Sequence, residues 1–413
     1  MWNDAVMEKS QFFAEARPDS VGPLAGIRVI DITTSWAGPM ASCVLADLGA
    51  DVIKVEAPGG EVTRRLPPDL PGTSLGYVNQ AVNRNKRSVT VDLHVEAGRK
   101  LFLELVATAD VVVENFRAGT LASWGLGYQH CRAVKADIIY VSITGWGQFG
   151  PLCDRAGYDP AAQAFSGWMS LNGEPEDKPC KAATWICDDL AGLHGTIGAL
   201  AALRHRDETG EGQHVDVSLL DAVLFQSNGL PTLAAMGHPI PRMGSEVESA
   251  VPVNSYACAD GYIYLAIVLD AHWSILCEVM GCPELGGAPG FQTIRERTAN
   301  RVAVNDVVAR WFATQTVAAA LALVGDAGLT ISKINTYAEA VAHPHVTARD
   351  MLTDVTLQDG SVAPLVSPPV KFSRTPTTIR LAPAALGAHT EQLLEELGYD
   401  LERRAQLSAD GVT

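Results

Sequence analysis

The sequence predicts an α/β protein, with a large domain on a parallel sheet and a smaller α+β domain. Three observations predict it. From residue 23 to about 225, short β-rich runs alternate with helix-length patterns. From about 226 to 340 the texture changes, and loop signals lead into a hairpin-like pair of runs. The chain has 413 residues, 47% of them apolar, enough for two domains with substantial cores.

Residues 1–22 carry acids and no apolar h-region, so they read as a tail or surface helix, not a signal peptide. The first part of the large domain spans 23–225. GIRVIDIT, from Gly26 to Thr33, reads as a buried strand, and the helix-like PMASCVLADLGA follows it. DVIKVEAP (Asp51 to Pro58) and SVTVDL (Ser88 to Leu93) are the next strands. AGRKLFLELVATA is a helix, followed by the strands DVVVENF (Asp110 to Phe116) and DIIYVSITG (Asp137 to Gly145). Strands separated by helices imply βαβ units, with ligands near the strand carboxyl ends. Residues 226–340 form the small domain, with YACADGYIYLAIV turning at Asp260-Gly261. Residues 341–413 return to the large domain, with a strand pair around Asp359-Gly360 and a final helix, TEQLLEELG.

Net charge is −16, so a global basic field that recruits nucleic acid is not expected. An anionic ligand would need a local basic cluster. The eight cysteines form no CxxC pair and no zinc spacing, and read as reduced cytosolic thiols. The localisation expected is therefore cytoplasmic. No apolar run reaches ~20 residues, so no membrane span is expected.

Residues that could carry chemistry fall in three places. CDDLAGLHGTIGALAAL, from Cys187, sets Asp188 and Asp189 before an apolar, small-residue helix. Acids there can simply cap free N–H groups and complement the helix dipole. One carboxylate could instead be a nucleophile that attacks an activated acyl group and forms a mixed anhydride. Gly192 would then permit close approach. NRNKRS (Asn83 to Ser88), with Arg64-Arg65 upstream and Arg117 downstream, reads either as a solvated turn or as a phosphate clamp. Arg117 follows a predicted strand, where open α/β sheets hold ligands. GYDPAAQAFSGWMSLNG, from Gly157, reads as an Asp159 cap before Pro160 beside a packed Tyr158. His194 on an apolar face reads as a core histidine. Cys187 has no identifiable His partner and reads as packing. GxSxG and HExxH are absent, and no GxGxxG follows the first strand.

Taken in order, AGPMASCVLADLGADVIKVE, NRNKRSVTVDL, ADVVVENFRAG, GYDPAAQAFSGWM, the acid-Gly helix start at Asp188 and TGEGQHVDVSLLDAV resemble the class III CoA-transferase family. That family includes formyl-CoA transferase, carnitine CoA-transferase and α-methylacyl-CoA racemase. The resemblance runs from PLAGIRVIDIT to LGAHTEQLLEELGYD. It implies that Asp188 carries the acyl group and then CoA, so coenzyme A enters as the acyl-CoA substrate and no metal is needed. It implies that Ser35, Trp36 and Ala37 border the reacting region. It implies that Val91, Asp92, Asn115, Phe116, Arg117 and Tyr158 lie along CoA. Ala57 and Ser123 stand where members place arginines on CoA phosphates. The loop GSEVESAVPVN, from Gly244, departs from both the carnitine-type and formyl-type patterns and leaves the acyl group open.

The racemase branch of the family has a His-Asp pair where this chain has Tyr158-Asp159. Losing the imidazole removes a base of near-neutral pKa, so transfer is favoured over racemisation or epimerisation. A non-catalytic CoA-binding protein is the third possibility. The resemblance further implies a Rossmann-like large domain built from both ends of the chain, and an interlocked, ring-like homodimer. Acyl-CoA and carboxylic acids are the expected partners, with neither nucleic acid nor membrane.

Overall fold

The structure is a computed structural model that describes residues 7–17 and 19–413. The chain divides into two compact units. One comprises Ala182–Pro231, His345–Thr413 and the chain up to Ser166; the other comprises Gly167–Lys181 and Thr232–Pro344. Segment 167–181, read above with the large domain, belongs to the second unit. The Arg242 guanidinium holds it there by donating to the carbonyls of Ser170 and Asp177.

The first unit is built on six strands: β1 (Arg28–Asp31), β2 (Asp51–Glu56), β3 (Lys86–Thr90), β4 (Val111–Glu114), β5 (Ile139–Thr144) and β6 (His214–Ser218). Their order is β3-β2-β1-β4-β5-β6, and every neighbouring pair is parallel. Strands covered on both faces need apolar residues throughout. All of β4 and β5 is accordingly buried, as are Val29, Ile30 and Asp31 of β1. Five helices matter here: α1 (Ala37–Asp47), α2 (Glu96–Ala107), α3 (Asp159–Phe165), α4 (Ile186–Thr209) and α5 (Leu219–Phe225). In α2, Leu101, Phe102, Leu105 and Val106 recur at helical spacing and enter the core beside Ile53, Val89 and Val112.

Helix α4 is long and apolar enough, by length and composition, to cross a bilayer. Its inner face packs on α1, β5 and β6 instead. That approach depends on missing side chains. A Cβ on Gly192 would lie 2.8 Å from the Ala37 carbonyl oxygen, and one on Gly195 would lie 2.5 Å from Ile143. The small residues thus let α4 settle close to the carboxyl ends of the strands.

The second unit has an antiparallel sheet, β7 (Val253–Cys258), β8 (Gly261–Ala266) and β9 (Thr330–Lys333), in that order. Cys258 pairs with Gly261, so the β7–β8 hairpin turns on two residues as its sequence suggests. Helices α6 (Asp270–Val279), α7 (Arg301–Ala313) and α8 (Val317–Asp326) supply Trp273, Leu276, Val308, Phe312 and Val324 to one apolar core.

The chain then returns to the first unit. Strands β10 (Leu352–Thr356) and β11 (Val362–Val366) pair around the Asp359-Gly360 turn, and α9 (Thr390–Glu396) follows. The expected final helix is not the last one: α10 (Leu401–Ala409) follows, capped by the Asp400 carboxylate on the Arg403 N–H. None of its residues is fully buried, so it carries no core-facing apolar stripe to read. This return covers the edge strand β3. The His389 N–H donates to the Ser88 carbonyl, and the Asn85 N–H to the Leu381 carbonyl.

Candidate active site

The strand order reverses between β1 and β4, and in open α/β sheets ligands bind outside the carboxyl ends at such a point. A cavity of about 140 Å³ lies there. It is lined by Thr34, Ser35, Trp36 and Ala37 after β1, Asn115 and Arg117 after β4, and Thr144 and Gly145 at the end of β5. Tyr158, before α3, and Asp188, in the first turn of α4, complete the opposite side. Seven of the residues singled out in the sequence therefore meet in one place. Val91, Asp92 and Phe116 do not line it. Val91 is buried in the core, Asp92 accepts from His94, and Phe116 packs edge-on against Trp124.

The loop after β1 is held in a strained shape. Ser35 has a φ of 68°, in the left-handed region, which costs a non-glycine residue roughly 1–3 kcal/mol unless its surroundings enforce it. They do. The Ser35 N–H and the Thr34 hydroxyl donate to the Glu61 carboxylate. Asn115 accepts from the Thr34 N–H at 2.9 Å and donates to the Thr34 carbonyl at 2.7 Å. Asn115 thus spends both ends of its amide on the loop. Beneath it, the Lys54 ammonium donates to the Thr33 carbonyl at 2.8 Å.

The basic run resolves against the phosphate clamp. Lys86 is 2% exposed and bonds Asp31, Ser42, Asn83 and the Pro39 carbonyl. Arg84 pairs with Asp47, Arg64 with Glu56, and Arg87 with both Asp51 and Glu396. These cations lie on or beside β3 and face acids of neighbouring elements. Burial would push the Asp31 carboxyl up. Lys54, Lys86 and the hydroxyls of Ser42 and Thr33 instead hold it well below the usual carboxylate range. Arg117 differs: it is exposed at the cavity, and no ion pair involves it among the described residues.

Asp188 stands between two chambers. Its other side faces a second cavity of about 340 Å³, lined by Trp36, Val62, Leu66, Val78 and Trp185. Burial, with the like charges of Asp159 and Asp189, pushes the Asp188 carboxyl up to about 8. Asp189 does something different. It accepts from the Trp36 indole at 2.6 Å, and Trp36 in turn meets Trp185 edge-to-face at 5.0 Å. Cys187 is buried, and its thiol is pushed up to about 12, so it is inert at neutral pH. His194 is half-buried against Phe225 rather than in the core.

Several contributors take roles the sequence does not mark, and Asp159, read as a cap of its own helix beside a packed Tyr158, instead occupies the first position of α3 after an exposed Tyr158. Asp159 is 1% exposed, and its Oδ2 accepts from the Cys187 N–H at 2.8 Å. The Ala37 and Gly38 N–H groups open α1, whose cap residue Trp36 makes no side-chain cap. They are first-turn donors with no carbonyl of their own helix to bond. A basic residue type marks Arg117. Nothing in the pattern marks the pairing of Asp159 with a backbone amide on another helix.

Residues 24–390 match CoA-transferase family III. The chain is 38% identical over 402 residues to the succinate–glutarate CoA-transferase of Agrobacterium fabrum, covering 94% of this chain and 98% of that one. It is 37% identical to the succinyl-CoA–L-malate CoA-transferase beta subunit of Chloroflexus aurantiacus, covering 91% and 94%. Among solved structures, a CaiB/BaiF family protein from Brucella suis superposes with a TM-score of 0.80 at 36% identity, covering 91% and 99%.

Proposed function

The chain belongs to CoA-transferase family III, and we propose that it moves CoA from an acyl-CoA donor to a free carboxylic acid through two covalent states of Asp188. The observation that carries this reading is the Asp188 carboxyl itself: half-buried at a helix start, bordering both chambers, and facing an unpaired Arg117 across the smaller one. Relatives are named for succinate, glutarate and malate, so small carboxylic acids are the first donors and acceptors to test.

In the first step an Asp188 oxygen attacks the donor thioester carbon. A C–O bond forms, the C–S bond breaks, and CoA leaves as thiolate, giving a mixed anhydride. The thiolate then attacks the aspartyl carbon, expels the donor carboxylate and leaves an aspartyl-CoA thioester. The acceptor carboxylate attacks that carbon and expels thiolate, and the thiolate takes the new acyl group from the second anhydride. Asp188 returns as carboxylate. Each step exchanges one activated acyl bond for another, so neither ATP nor water is consumed.

Each tetrahedral intermediate carries an oxyanion, and fixed donors aimed at it are usually the largest catalytic contribution. The Ala37 and Gly38 amides fill that role, backed by the α1 dipole. Arg117 holds a CoA phosphate, while Ser35, Trp36 and Tyr158 line the path of the pantetheine arm. Tyr158 stands where racemisation would require a near-neutral base, and a phenol does not supply one. The strand order supports a Rossmann-like large domain. The reading includes an interlocked homodimer in the cytoplasm.

The test is mass spectrometry of enzyme incubated with succinyl-CoA, then hydroxylamine. A hydroxamate at Asp188, absent in a folded but inactive Asp188→Ala variant, is the expected result. Transfer activity retained by Asp188→Ala would overturn the reading. Deuterium exchange at the α-carbon of a 2-methylacyl-CoA without any acceptor acid would favour racemisation instead.

A further inference from the structure

Asp159 is a buried carboxylate for which the steps above have no use. It occupies the first position of α3, and its two oxygens point in different directions. Oδ1 accepts from the Gln163 side chain at 2.6 Å, and Oδ2 from the Cys187 N–H at 2.8 Å. Gln163 is fixed in turn, because its Oε1 accepts from the Ala182 N–H at 2.8 Å. No lysine, arginine or histidine pairs with Asp159 among the described residues. Helix α4 begins after Trp185, which has no side-chain acceptor to cap it. Asp159 supplies that cap from another helix and so holds a negative charge one residue away from the nucleophile.

We propose that Asp159 is a positioning residue whose fixed charge favours covalent loading of Asp188. This rests on the reading of Asp188 as the acyl and CoA carrier. A free Asp188 carboxylate adds a charge beside Asp159 and Asp189 in a site partly shielded from water. The anhydride and the thioester are neutral at that atom. Loading therefore relieves repulsion, and unloading restores it. The same repulsion makes Asp188 a more basic, hence stronger, oxygen nucleophile.

The groups facing Asp188 come from three elements. On α4, Asp189 is tied to the Trp36 indole and Cys187 is a neutral thiol. From α3 come Asp159 and the exposed Tyr158. After β4, Arg117 lines the same cavity. Of the two acids, Asp159 is the one both fully buried and locked on both oxygens.

The experiment measures the ratio of CoA-loaded to free enzyme by intact-protein mass spectrometry, at fixed succinyl-CoA and succinate with no other acceptor, across pH. In the wild type the ratio rises with pH and levels off above about 8. In Asp159→Asn the charge is gone while an acceptor oxygen remains for the Cys187 N–H. The levelling point and the acid limb of kcat/KM should fall by about one pH unit, and the ratio of loaded to free enzyme at about pH 9 should fall roughly tenfold. Asp159→Glu keeps the charge, so it should lower kcat with little movement of the limb. Equal limbs in wild type and Asp159→Asn overturn the proposal, as do equal shifts in the Asn and Glu variants. A wild-type curve that levels off near the ordinary aspartate value of about 4 also overturns it. Absence of any adduct in the wild type would instead refute the covalent role of Asp188.

Discussion

Replacing Lys86 by methionine separates two readings of the basic run. The ammonium makes four bonds: to Asp31 at 2.9 Å, Ser42 at 2.9 Å, the Pro39 carbonyl at 3.0 Å and Asn83 at 3.0 Å. Removing it leaves the Asp31 carboxylate buried beside Lys54 alone, 3.8 Å away. Breaking a buried pair typically costs about 3–5 kcal/mol, because the remaining charge is uncompensated. Asp31 keeps bonds from Thr33 and Ser42, so the lower end, about 3 kcal/mol, is expected here. At roughly 2–4 °C per kcal/mol, Tm should fall by about 6–12 °C. The assay is thermal unfolding followed by circular dichroism, with KM for succinyl-CoA measured on the same preparation. Adding Asp31→Asn to Lys86→Met should recover part of the loss, since the two sites share one network. An unchanged Tm with KM raised about tenfold would refute the buried-pair account and restore Lys86 as a phosphate ligand.

Four other outcomes follow from the geometry. Arg117→Met should raise KM for acyl-CoA by about 10–100-fold, the equivalent of losing a charge-assisted bond of ~1.5–3 kcal/mol, with little change in Tm; steady-state kinetics decide. Activity of the free enzyme should rise with pH towards about 8, because Asp188 attacks only as carboxylate and its carboxyl is held that high; kcat/KM profiles check the limb. Glu114 is pushed up to about 7, chiefly by burial, so its folded value lies above the unfolded one. Its charging therefore destabilises the fold as pH rises from about 4.5 to 7, and Glu114→Gln should gain up to ~3 kcal/mol in urea unfolding at pH 8 and almost nothing at pH 4.5. Gly192→Val should cost stability and activity together, about 1–3 kcal/mol, since its Cβ would meet the Ala37 carbonyl at 2.8 Å; unfolding midpoints measure it.

Much of the first unit is legible in its amino acids, for a physical reason. Strands β4 and β5 are buried along their whole length, so their largely apolar residues stand out as runs. Strand β6 is different. It is the sheet edge, and its polar His214 and Asp216 alternate with valines, so it is readable only as part of a longer motif. The NRNKRS run misleads because charge is ordinarily a sign of solvent, while Arg84 and Lys86 lie buried against acids 37 and 55 residues away in the chain. Arg117 keeps the exposure its charge suggests, because it lines the cavity and no ion pair involves it among the described residues. The two acids at the start of α4 look alike in sequence. What divides their roles is a tryptophan 153 residues earlier, which engages Asp189 and leaves Asp188 to the cavity.

The cover over β3 has a bearing on synthesis. Ser88 receives its partner His389 only after 301 more residues have been added. At roughly 5–20 residues per second on the ribosome, that edge waits some 15–60 seconds with its backbone groups unmet. A half-made chain therefore displays a row of strand donors and acceptors, the kind of template on which neighbouring nascent chains pair and clump. Yield in the cell should depend on what shields that row during translation: holdase capacity, slower crowding on the polysome, or a supplied C-terminal fragment that docks early.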